Sequence, residues 1–241
     1  MKFVSWNCKV GFTEKKAEYI KNYNADFYII QECIEKDFSN INKYFKNYSF
    51  YCDNVDSKYG VGLFSDKFEF KILPEHNVNY RYIVPYKVFN NDYEFVLFSI
   101  WTKDNDENNK TVEYTEQTWK AINFDEYKKY LSSSIILVGD FNSNNFWEEN
   151  YITNKVHSHN DIIDKLNEYN IKSAYHKYNN CKNGNEKDPT LLWQMNINKK
   201  YHIDYCFISE NYKIKSVNVG SLKEWEEYKL SDHCPLIIEI E

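Results

Sequence analysis

Arginine is almost missing from this chain of 241 residues: Arg81 is the only arginine among 30 basic residues. Acidic residues number 36, so the formal net charge is −6. A protein that binds DNA avidly through its phosphates has a basic surface, and this composition argues against that class. A nuclease is not excluded, because a bound cation or a local basic patch can supply the positive field that a phosphate needs.

Long apolar runs are also missing. The segment from Met1 to Asn7 carries one lysine and no apolar stretch of the length that a signal peptide has. No segment approaches the roughly 20 apolar residues of a membrane-spanning helix. We therefore expect a cytoplasmic protein without a membrane span.

Closely spaced cysteine pairs are a third absence. The six cysteines include no C-x-x-C pair, and six-cysteine disulfide frameworks are typical of much shorter secreted chains. We expect reduced, mostly buried thiols. Cys33 and Cys234 adjoin polar segments described below, but alternation along a strand directs their side chains away from those neighbours. A catalytic thiol is therefore not expected.

Aromatic residues, in contrast, are plentiful: they make up 18% of the chain, and 22 residues are tyrosines. They could form stacking platforms for nucleic-acid bases. They run along the whole chain, however, together with abundant lysine, asparagine and isoleucine. This distribution favours the composition of an A/T-biased genome over a dedicated stacking surface.

Short apolar runs alternate with helical stretches. Strands are predicted at residues 3–6, 27–30, 61–64, 68–73, 80–89, 93–101, 135–138, 191–195, 203–208, 214–219 and 236–240. Helices are predicted at 13–23, with Thr13 as the cap, at 112–131 and at 161–169, and polar loops at 103–110 and 179–188. The close spacing of strands between 61 and 101 predicts an antiparallel meander. The length permits one large α/β domain or two small ones, but no low-complexity linker separates the halves. We expect one α/β domain, residues 1–241, of two facing sheets with helices outside.

Polar residues stand where several of these apolar strands begin or end. In chain order they are Ser5-Trp6-Asn7, Ile30-Gln31-Glu32, Gly139-Asp140-Phe141-Asn142, His202-Ile203-Asp204-Tyr205 and Ser231-Asp232-His233. Singly, each carboxylate could be a helix cap or a turn residue. Carboxylates at the ends of buried strands are nevertheless costly unless a cation or a donor meets them. Five such segments in one chain predict a shared site.

The residue types indicate hydrolysis of a phosphate ester with a divalent metal. Hard oxygen ligands suit Mg²⁺, with Mn²⁺ as a substitute, better than zinc. The candidate ligands are Glu32, Asp232, the Asn7 amide and, as an open alternative, Asp140. A carboxylate such as Asp140 can orient and deprotonate an attacking water. A histidine held by a second carboxylate, here His233 by Asp204, can donate to a phosphoryl oxygen as negative charge develops.

In order and spacing, these five segments resemble the motifs of the endonuclease/exonuclease/phosphatase superfamily, typified by DNase I and abasic-site endonucleases. The resemblance runs from the first strand to the last. It implies a four-layered αββα sandwich with its site at one edge of the packed sheets. It also implies roles: Asn7 and Glu32 near the metal, Asp232 near metal or phosphate, Asp140 positioning the water, Asn142 contacting water or phosphate, and Asp204 orienting His233.

Two positions depart from the family's pattern. Lys9 stands where abasic-site endonucleases usually carry an aspartate, which argues against transfer of their activity to this chain. Trp101 falls where relatives often place a histidine or tyrosine near the scissile phosphate. An indole can only pack or donate one N–H, so packing is favoured for Trp101, with substrate binding as the alternative.

Two further segments contain candidate residues. Trp193 precedes the Asp204 segment and could line the substrate cleft or belong to the core. His157 and His159 could form a metal-binding pair, but no carboxylate pattern surrounds them. A loop that precedes a helix is the favoured interpretation of these histidines.

The leading functional prediction is a Mg²⁺-dependent nuclease or phosphodiesterase acting on nucleic acid, a monomer without an obligatory protein partner. The alternative is a phosphatase or phospholipase-like hydrolase of an inositol phosphate, lipid headgroup or nucleotide. Against its inositol branch, Asp140-Phe141-Asn142-Ser143 lacks the arginine that such enzymes place after this motif. A non-catalytic binding module is disfavoured, because a disused site has no physical reason to keep buried charges.

Overall fold

Two mixed sheets of six strands each dominate the computed structural model, which describes residues 1–53, 58–103, 113–150 and 156–241. Its strands are β1 (Lys2–Asn7), β2 (Phe27–Ile34), β3 (Asn47–Tyr51), β4 (Tyr59–Ser65), β5 (Glu69–Ile72), β6 (Ile83–Phe89), β7 (Glu94–Trp101), β8 (Ile135–Asp140), β9 (Ile171–Ser173), β10 (Leu191–Leu192), β11 (Lys200–Tyr201), β12 (Asp204–Ser209), β13 (Ile214–Val219) and β14 (Leu236–Ile240). Its helices are α1 (Glu14–Lys21), α2 (Phe38–Ile41), α3 (Glu113–Asn123), α4 (Asp125–Leu131), α5 (Asn145–Asn150), α6 (His159–Asn167), α7 (Ala174–Asn179) and α8 (Leu222–Tyr228).

The strand orders of the two sheets follow the same plan. Sheet A has the order β13-β14-β1-β2-β4-β3, and sheet B has the order β5-β6-β7-β8-β12-β9. In each sheet the two central strands are parallel, β1 with β2 and β7 with β8, and the remaining described pairs are antiparallel. A parallel pair needs a crossover connection. Helix α1 lies in the first crossover, and α3 and α4 lie in the second.

The core lies between the two sheets. Alternation along β1 sends Phe3 into the space between the sheets and Val4 to the outer face of sheet A. Phe3 stacks on its parallel neighbour Phe27 with ring centroids 5.0 Å apart, and Leu97 and Ile136 of sheet B belong to the same cluster. The predicted fold, a four-layered αββα sandwich, is therefore confirmed.

Helices cover the outer faces of both sheets. Ala17 and Ile20 of α1 pack with residues of β1 and β2 outside sheet A. Outside sheet B, Ala121 of α3, Leu131 of α4 and Ile162 of α6 pack together. Within the described part of the chain, no helix combines the length and the apolar character needed to cross a membrane.

Several predicted elements differ from the observed ones. The strand predicted at 191–195 stops at Leu192, because Gln194 and Met195 have φ values of +58° and form a turn. The helix predicted at 112–131 is two helices, α3 and α4, since Phe124 between them has extended backbone angles; residues 111–112 and all but Lys103 of the 103–110 loop lie outside the described residues. Thr13 stands at the cap position of α1, but its side chain makes no capping hydrogen bond.

The meander predicted from 61 to 101 is only partly correct. Strands β5, β6 and β7 do form an antiparallel meander in sheet B, but β4 belongs to sheet A, where it pairs with β2 and β3. Helix α8 was not predicted, although its capping box is visible in the sequence: Ser221 accepts from the backbone of Glu224, whose side chain accepts from Ser221.

Gly139 allows β7 and β8 to approach where the second parallel pair ends. Its φ is +147°, and a Cβ on this residue would lie 1.8 Å from the carbonyl oxygen of Ile100. Gly139→Ala should therefore lower the free energy of unfolding by about 2–4 kcal/mol, because steric overlap adds to backbone strain. Urea unfolding measures this change. Gly184→Ala is the control: its φ is +85°, but the nearest atom would be 3.5 Å away, so the loss should be about 1 kcal/mol. Equal losses would rule out the close strand approach as the cause.

Candidate active site

The two parallel strand pairs end at the same edge of the packed sheets, and their polar residues meet there. In sheet A, Asn7 pairs with Gln31. In sheet B, Trp101 pairs with Asp140, and Asp140 also pairs with Asp204, the first residue of β12. An open cleft of about 820 Å³ lies at this edge. It is lined by Asn7, Lys9, Val10, Glu32, Tyr114, Asp140, Asn142, Trp147, Leu191, Trp193, Lys199, Tyr201, Asp232 and His233.

Glu32 reaches the cleft because β2 bulges at this residue. Gln31 pairs with Val61 and Cys33 pairs with Gly60, which leaves Glu32 as the extra residue between them. Its φ of +61° lies in the left-handed region, which is uncommon for a glutamate. A bulge changes the direction in which a side chain points, and here Glu32 enters the cleft while Gln31 remains buried.

Asn7 links the two sheets through its side-chain amide. Its Nδ2 donates to Glu32 Oε1 at 3.0 Å and to Asp140 Oδ2 at 2.9 Å. Its Oδ1 accepts from the backbone N–H of Lys9 at 3.0 Å. The sequence prediction gave the Asn7 amide a place beside the metal. In this arrangement its NH₂ group donates to two carboxylates, and its oxygen accepts a hydrogen bond within the loop that follows β1.

Asn142 is fixed beside Asp140 by a left-handed turn with φ of +47°. Its backbone N–H donates to Asp140 Oδ1 at 2.9 Å, and its Nδ2 lies 3.1 Å from Asp140 Oδ2. The same Nδ2 donates to the carbonyl of Thr102 at 3.0 Å. Asparagine tolerates this backbone conformation better than most residues. The structure therefore brings both predicted residues to one wall of the cleft.

Asp204 and His233 form a buried pair. Nδ1 of His233 lies 2.8 Å from Asp204 Oδ2, and because a carboxylate can only accept, this nitrogen carries the proton. Nε2 on the other side of the ring lies 3.9 Å from Asp140 Oδ2. The three residues are thus assembled with the imidazole between the two carboxylates.

Residues outside the predicted set hold this pair in place. Thr190 Oγ1 accepts from the backbone N–H of Asp204 at 3.0 Å. Ser231 Oγ accepts from the N–H of His233 at 3.0 Å and donates to the last carbonyl of β1 at 2.7 Å. Trp6 Nε1 donates to the carbonyl of His233 at 2.9 Å. Ser231 stood inside one of the quoted segments, whereas nothing in the sequence near Thr190 indicated its role.

Burial and mutual charge shift the proton affinities of this cluster. Burial raises the pKa of Asp140 to about 7, and the negative charge of Asp204 adds to this effect. Burial alone would lower the pKa of His233, but the charges of Asp204, Asp140 and Asp232, with the hydrogen bond to Asp204, outweigh it and raise the pKa to about 10. A carboxyl group with a pKa near neutrality is well matched to general base catalysis.

Asp232 contacts a lysine rather than another predicted site residue. Its Oδ2 lies 2.6 Å from Lys9 Nζ, and both side chains are at the cleft. The sequence prediction placed Asp232 near metal or phosphate. In the structure its carboxylate is paired with the ammonium of Lys9, which stands where abasic-site endonucleases usually carry an aspartate.

The two tryptophans considered for substrate binding lie in different environments. Trp193 is 47% exposed and lines the cleft. Trp101 is 6% exposed, belongs to the core between the sheets, and has its ring centroid 4.7 Å from that of Tyr82. The structure does not bring Trp101 to the cleft, so we retain packing for this residue and the rim position for Trp193.

Three aromatic side chains form one wall of the cleft, which we call the aromatic wall: Trp147, Trp193 and Tyr201. The centroid of Tyr201 is 4.9 Å from that of Trp147 and 6.5 Å from that of Trp193. Lys199 Nζ lies 4.7 Å from the centroid of Trp193. Sequence reasoning missed Trp147, Tyr201 and Lys199, because helix α5 and the β10–β11 ribbon that carry this wall are brought together only by the fold.

His157 and His159 have separate partners. His157 Nδ1 lies 2.6 Å from Glu116 Oε1. His159 is buried, and its Nδ1 lies 2.9 Å from Ser143 Oγ. Ser158 caps α6, which begins at His159. Each ring thus binds a side chain of its own, Glu116 for His157 and Ser143 for His159.

All six cysteines are free thiols. Cys33 and Cys234 lie in hydrophobic clusters beside the site. Burial raises the pKa of the Cys33 thiol and, to about 12, that of Cys234. Neither thiol is therefore ionised near neutral pH, and neither has the character of a nucleophile.

The donors at the cleft fit a divalent cation that prefers oxygen ligands. The Glu32 carboxylate accepts from Asn7 Nδ2 and from the N–H of Val10 at 2.9 Å, and a carboxylate has about four lone-pair sites. Among the described residues, one group of three metal-ligating side chains has its ligand atoms within 4.8 Å: Asp140, Asp204 and His233. His233 and Asp204 bind each other, and Asp232 is paired with Lys9. Glu32 is therefore the carboxylate that would hold the cation, with Asp140 as an open alternative.

Comparisons with known proteins agree with this geometry. Residues 4–233 match the model of the Endonuclease/Exonuclease/phosphatase family, and a search of curated protein sequences found no match. Similar solved structures include a mannosyl-6-phosphatase from Bacteroides thetaiotaomicron (15% identity, TM-score 0.62). A 3′ phosphatase from Neisseria bound to a product DNA hairpin (15%, 0.67) and an AP endonuclease from Archaeoglobus fulgidus (15%, 0.66) are also similar. Each comparison covers 100% of this chain and 99% of the other. At these identities, the likeness to solved structures establishes the fold alone.

The charges around His233 predict how stability changes with pH. Its pKa is raised from 6.5 to about 10, so the stabilisation it contributes is complete below pH 6.5 and is lost as the pH rises through about 10. In EDTA, and with Asp140→Asn in both proteins because the pKa of Asp140 itself depends on His233, the free energy of unfolding of the chain with His233 should fall relative to that of the chain with His233→Gln between about pH 7 and pH 10, by more than about 1 kcal/mol. Urea unfolding of both proteins across this range measures the difference, and groups that do not interact with His233 cancel. Parallel pH profiles for the two proteins would contradict the raised pKa.

Proposed function

The chain belongs to the endonuclease/exonuclease/phosphatase family of phosphoester hydrolases, and from this premise we propose that it is a divalent-metal-dependent phosphodiesterase that cleaves nucleic acid by attack of water. The observation that supports this best is the cluster of Asp140, Asp204 and His233 beneath an open cleft that has an aromatic wall. The buried cluster offers proton transfer, and the wall offers a surface for bases.

Asp140 is proposed as the residue that orients and deprotonates the attacking water. Its raised pKa favours acceptance of a proton near neutral pH. Its two carboxylate oxygens already accept hydrogen bonds from Asn7 and Asn142, which fix the direction in which the remaining lone pairs point. Asn142 lines the cleft beside Asp140 and is proposed to contact the water or the phosphate.

His233 is proposed to donate to a phosphoryl oxygen through Nε2. Asp204 holds the opposite nitrogen at 2.8 Å, which fixes the ring and favours the doubly protonated form. A preorganised donor of this kind stabilises the negative charge that develops on phosphoryl oxygens in the transition state. Asp204 therefore acts through the ring and need not touch the substrate.

Glu32 is proposed to hold a divalent cation, Mg²⁺ with Mn²⁺ as a substitute. Such a cation, when bound, polarises the phosphoryl group and lowers the pKa of water. Glu32 suits this role because its strained backbone, with φ of +61° at a bulge, directs a carboxylate into the cleft. Strain of this kind is retained where the surrounding structure and function require it.

Nucleic acid is the favoured substrate because of the aromatic wall. Aromatic side chains in a cleft stack on unpaired bases of any sequence, and Trp193 presents nearly half of its surface. Similar proteins include an AP endonuclease and a 3′ phosphatase bound to a DNA hairpin. We infer an unpaired or terminal nucleotide as the part of the substrate that enters the cleft.

A second candidate is a phosphatase of a small phosphate ester, and the distribution of cations favours it. The only arginine, Arg81, is buried and its Nε lies 2.8 Å from Asp53 Oδ2, so it serves the core rather than a phosphate backbone. Among the residues that the structure describes, the lysines that line the cleft are Lys9 and Lys199. Two lysines suit a substrate with one or two phosphates, and a mannosyl-6-phosphatase is among the similar proteins.

A substrate panel separates these candidates. Purified protein with Mg²⁺ should cleave labelled single-stranded DNA, abasic DNA or RNA in preference to soluble phosphate monoesters. EDTA should abolish the activity, and Mg²⁺ or Mn²⁺ should restore it. Glu32→Gln should raise the metal concentration for half-maximal activity by about 10-fold, and Glu126→Gln on the exposed side of α4 is the control. Full activity after chelation would refute metal dependence, and turnover of monoesters alone would establish the second candidate.

His233 and Asp204 are expected to act as a unit. His233→Ala should reduce kcat by roughly 10²-fold, as the loss of an electrostatic donor does, and Asp204→Asn should cause much of the same loss. The double variant should be little worse than His233→Ala, because effects within a unit are not additive. His157→Ala, which removes a histidine bound to Glu116 on α3, is the control for loss of an imidazole. Losses that multiply in the double variant would show two independent roles.

A further inference from the structure

The loop after β1 brings an ammonium group into the cleft. Lys9 Nζ lies 2.6 Å from Asp232 Oδ2, and the side chains are 37% and 16% exposed. Lys9 lines the cleft together with Glu32, Asp140 and His233. The ammonium group of Lys9 therefore lies among the proposed reacting groups, and Lys9 has no role in the proposed mechanism.

This loop is held in an unfavourable conformation. Lys9, Val10 and Gly11 have φ values of +48°, +58° and +97°, a region that is rare for lysine and especially rare for the β-branched valine. Hydrogen bonds hold them there: the N–H of Val10 donates to Glu32 Oε2 at 2.9 Å, and that of Gly11 to the carbonyl of Glu32 at 2.8 Å. Strained residues that the surroundings hold in place are concentrated at functional sites.

A buried lysine organises the same loop from behind. Lys16 is 8% exposed, and its Nζ donates to the carbonyl oxygens of Cys8, of Lys9 at 2.6 Å and of Gly11 at 2.9 Å. An ammonium has three donors, and all three are used on this one loop. The backbone that carries Lys9 is thus fixed by an internal cation while the Lys9 side chain extends into the cleft.

Charged side chains of both signs line the cleft. Among the described residues, its carboxylates are those of Glu32, Asp140 and Asp232, and their charge opposes an anionic substrate unless cations offset it. Lys199, the other lining lysine, is placed over the ring of Trp193 and lies 3.2 Å from Gln194 Oε1. Among the described lysines that line the cleft, Lys9 is therefore the one whose partner is a lining carboxylate.

We propose that Lys9 binds the phosphoryl group of the substrate and that Asp232 holds it in position to do so. The inference rests on the proposed function in taking a phosphate ester as the substrate. The contact with Asp232 engages one of the three N–H donors of Lys9, which leaves the others for phosphoryl oxygens. A lysine recognises phosphate as a point charge, which suits a chain whose only arginine is buried.

The experiment measures binding of inorganic phosphate by calorimetry in EDTA, without turnover. The wild type should bind phosphate, Lys9→Met should weaken the Kd by about 10-fold or more, and Lys9→Arg should keep most of the affinity because it keeps the charge. Lys129→Met is the matched control. Lys129 lies on helix α4, and its Nζ is 2.5 Å from Glu75 Oε1; the side chains of Lys129 and Glu75 are 49% and 22% exposed. It should leave the Kd unchanged.

The outcomes separate this assignment from the proposed function. Equal phosphate affinity of the wild type and Lys9→Met, or a loss as large in Lys129→Met, would overturn the role of Lys9 even if the substrate panel shows hydrolysis. Phosphate binding that depends on Lys9 would support it even if the panel finds no cleavage of nucleic acid. For any substrate that the panel identifies, Lys9→Met should raise KM, and a loss in kcat alone would also contradict phosphate binding by Lys9.

Discussion

The pairing of Asp140 with Asp204 across β8 and β12 puts two buried carboxylates on neighbouring strands, and the rest of the site depends on how this pair is compensated. Each carboxylate is about 1% exposed, and like charges in such a position repel strongly. The imidazole of His233 lies between them and carries a proton, while Asn7 and Asn142 donate to Asp140. The same few hydrogen bonds therefore serve both the proposed catalysis and the stability of the fold.

This compensation also joins the two sheets. Asn7 belongs to sheet A and Asp140 to sheet B, and the hydrogen bond between them spans the edge of the sandwich. Ser231, in the segment before β14, accepts from His233 and donates to the end of β1. The geometry of the cleft consequently depends on the packing of both sheets, and neither sheet alone determines it.

Much of the fold and of the site was predictable from the sequence, because strand burial and polar strand ends leave clear patterns. The apolar runs at 3–6, 27–30 and 135–138 correspond to β1, β2 and β8, and the polar residues that follow them do meet. The bulge at Glu32 was not predictable, since it depends on the register of β2 against β4. Packing was favoured for Trp101, but its contact with Tyr82 was not predictable. The aromatic wall was not predictable either, because its residues are distant in sequence and no local pattern links them.

The order in which the chain supplies these groups has a consequence for biosynthesis. Asp140 and Asp204 precede His233 by 93 and 29 residues, respectively, so a growing chain contains both acids before it contains the base between them. Closing the sandwich at that stage would bury two carboxylates without their shared imidazolium. We expect the completed domain to form in one late step, once the segment before β14 has been synthesised.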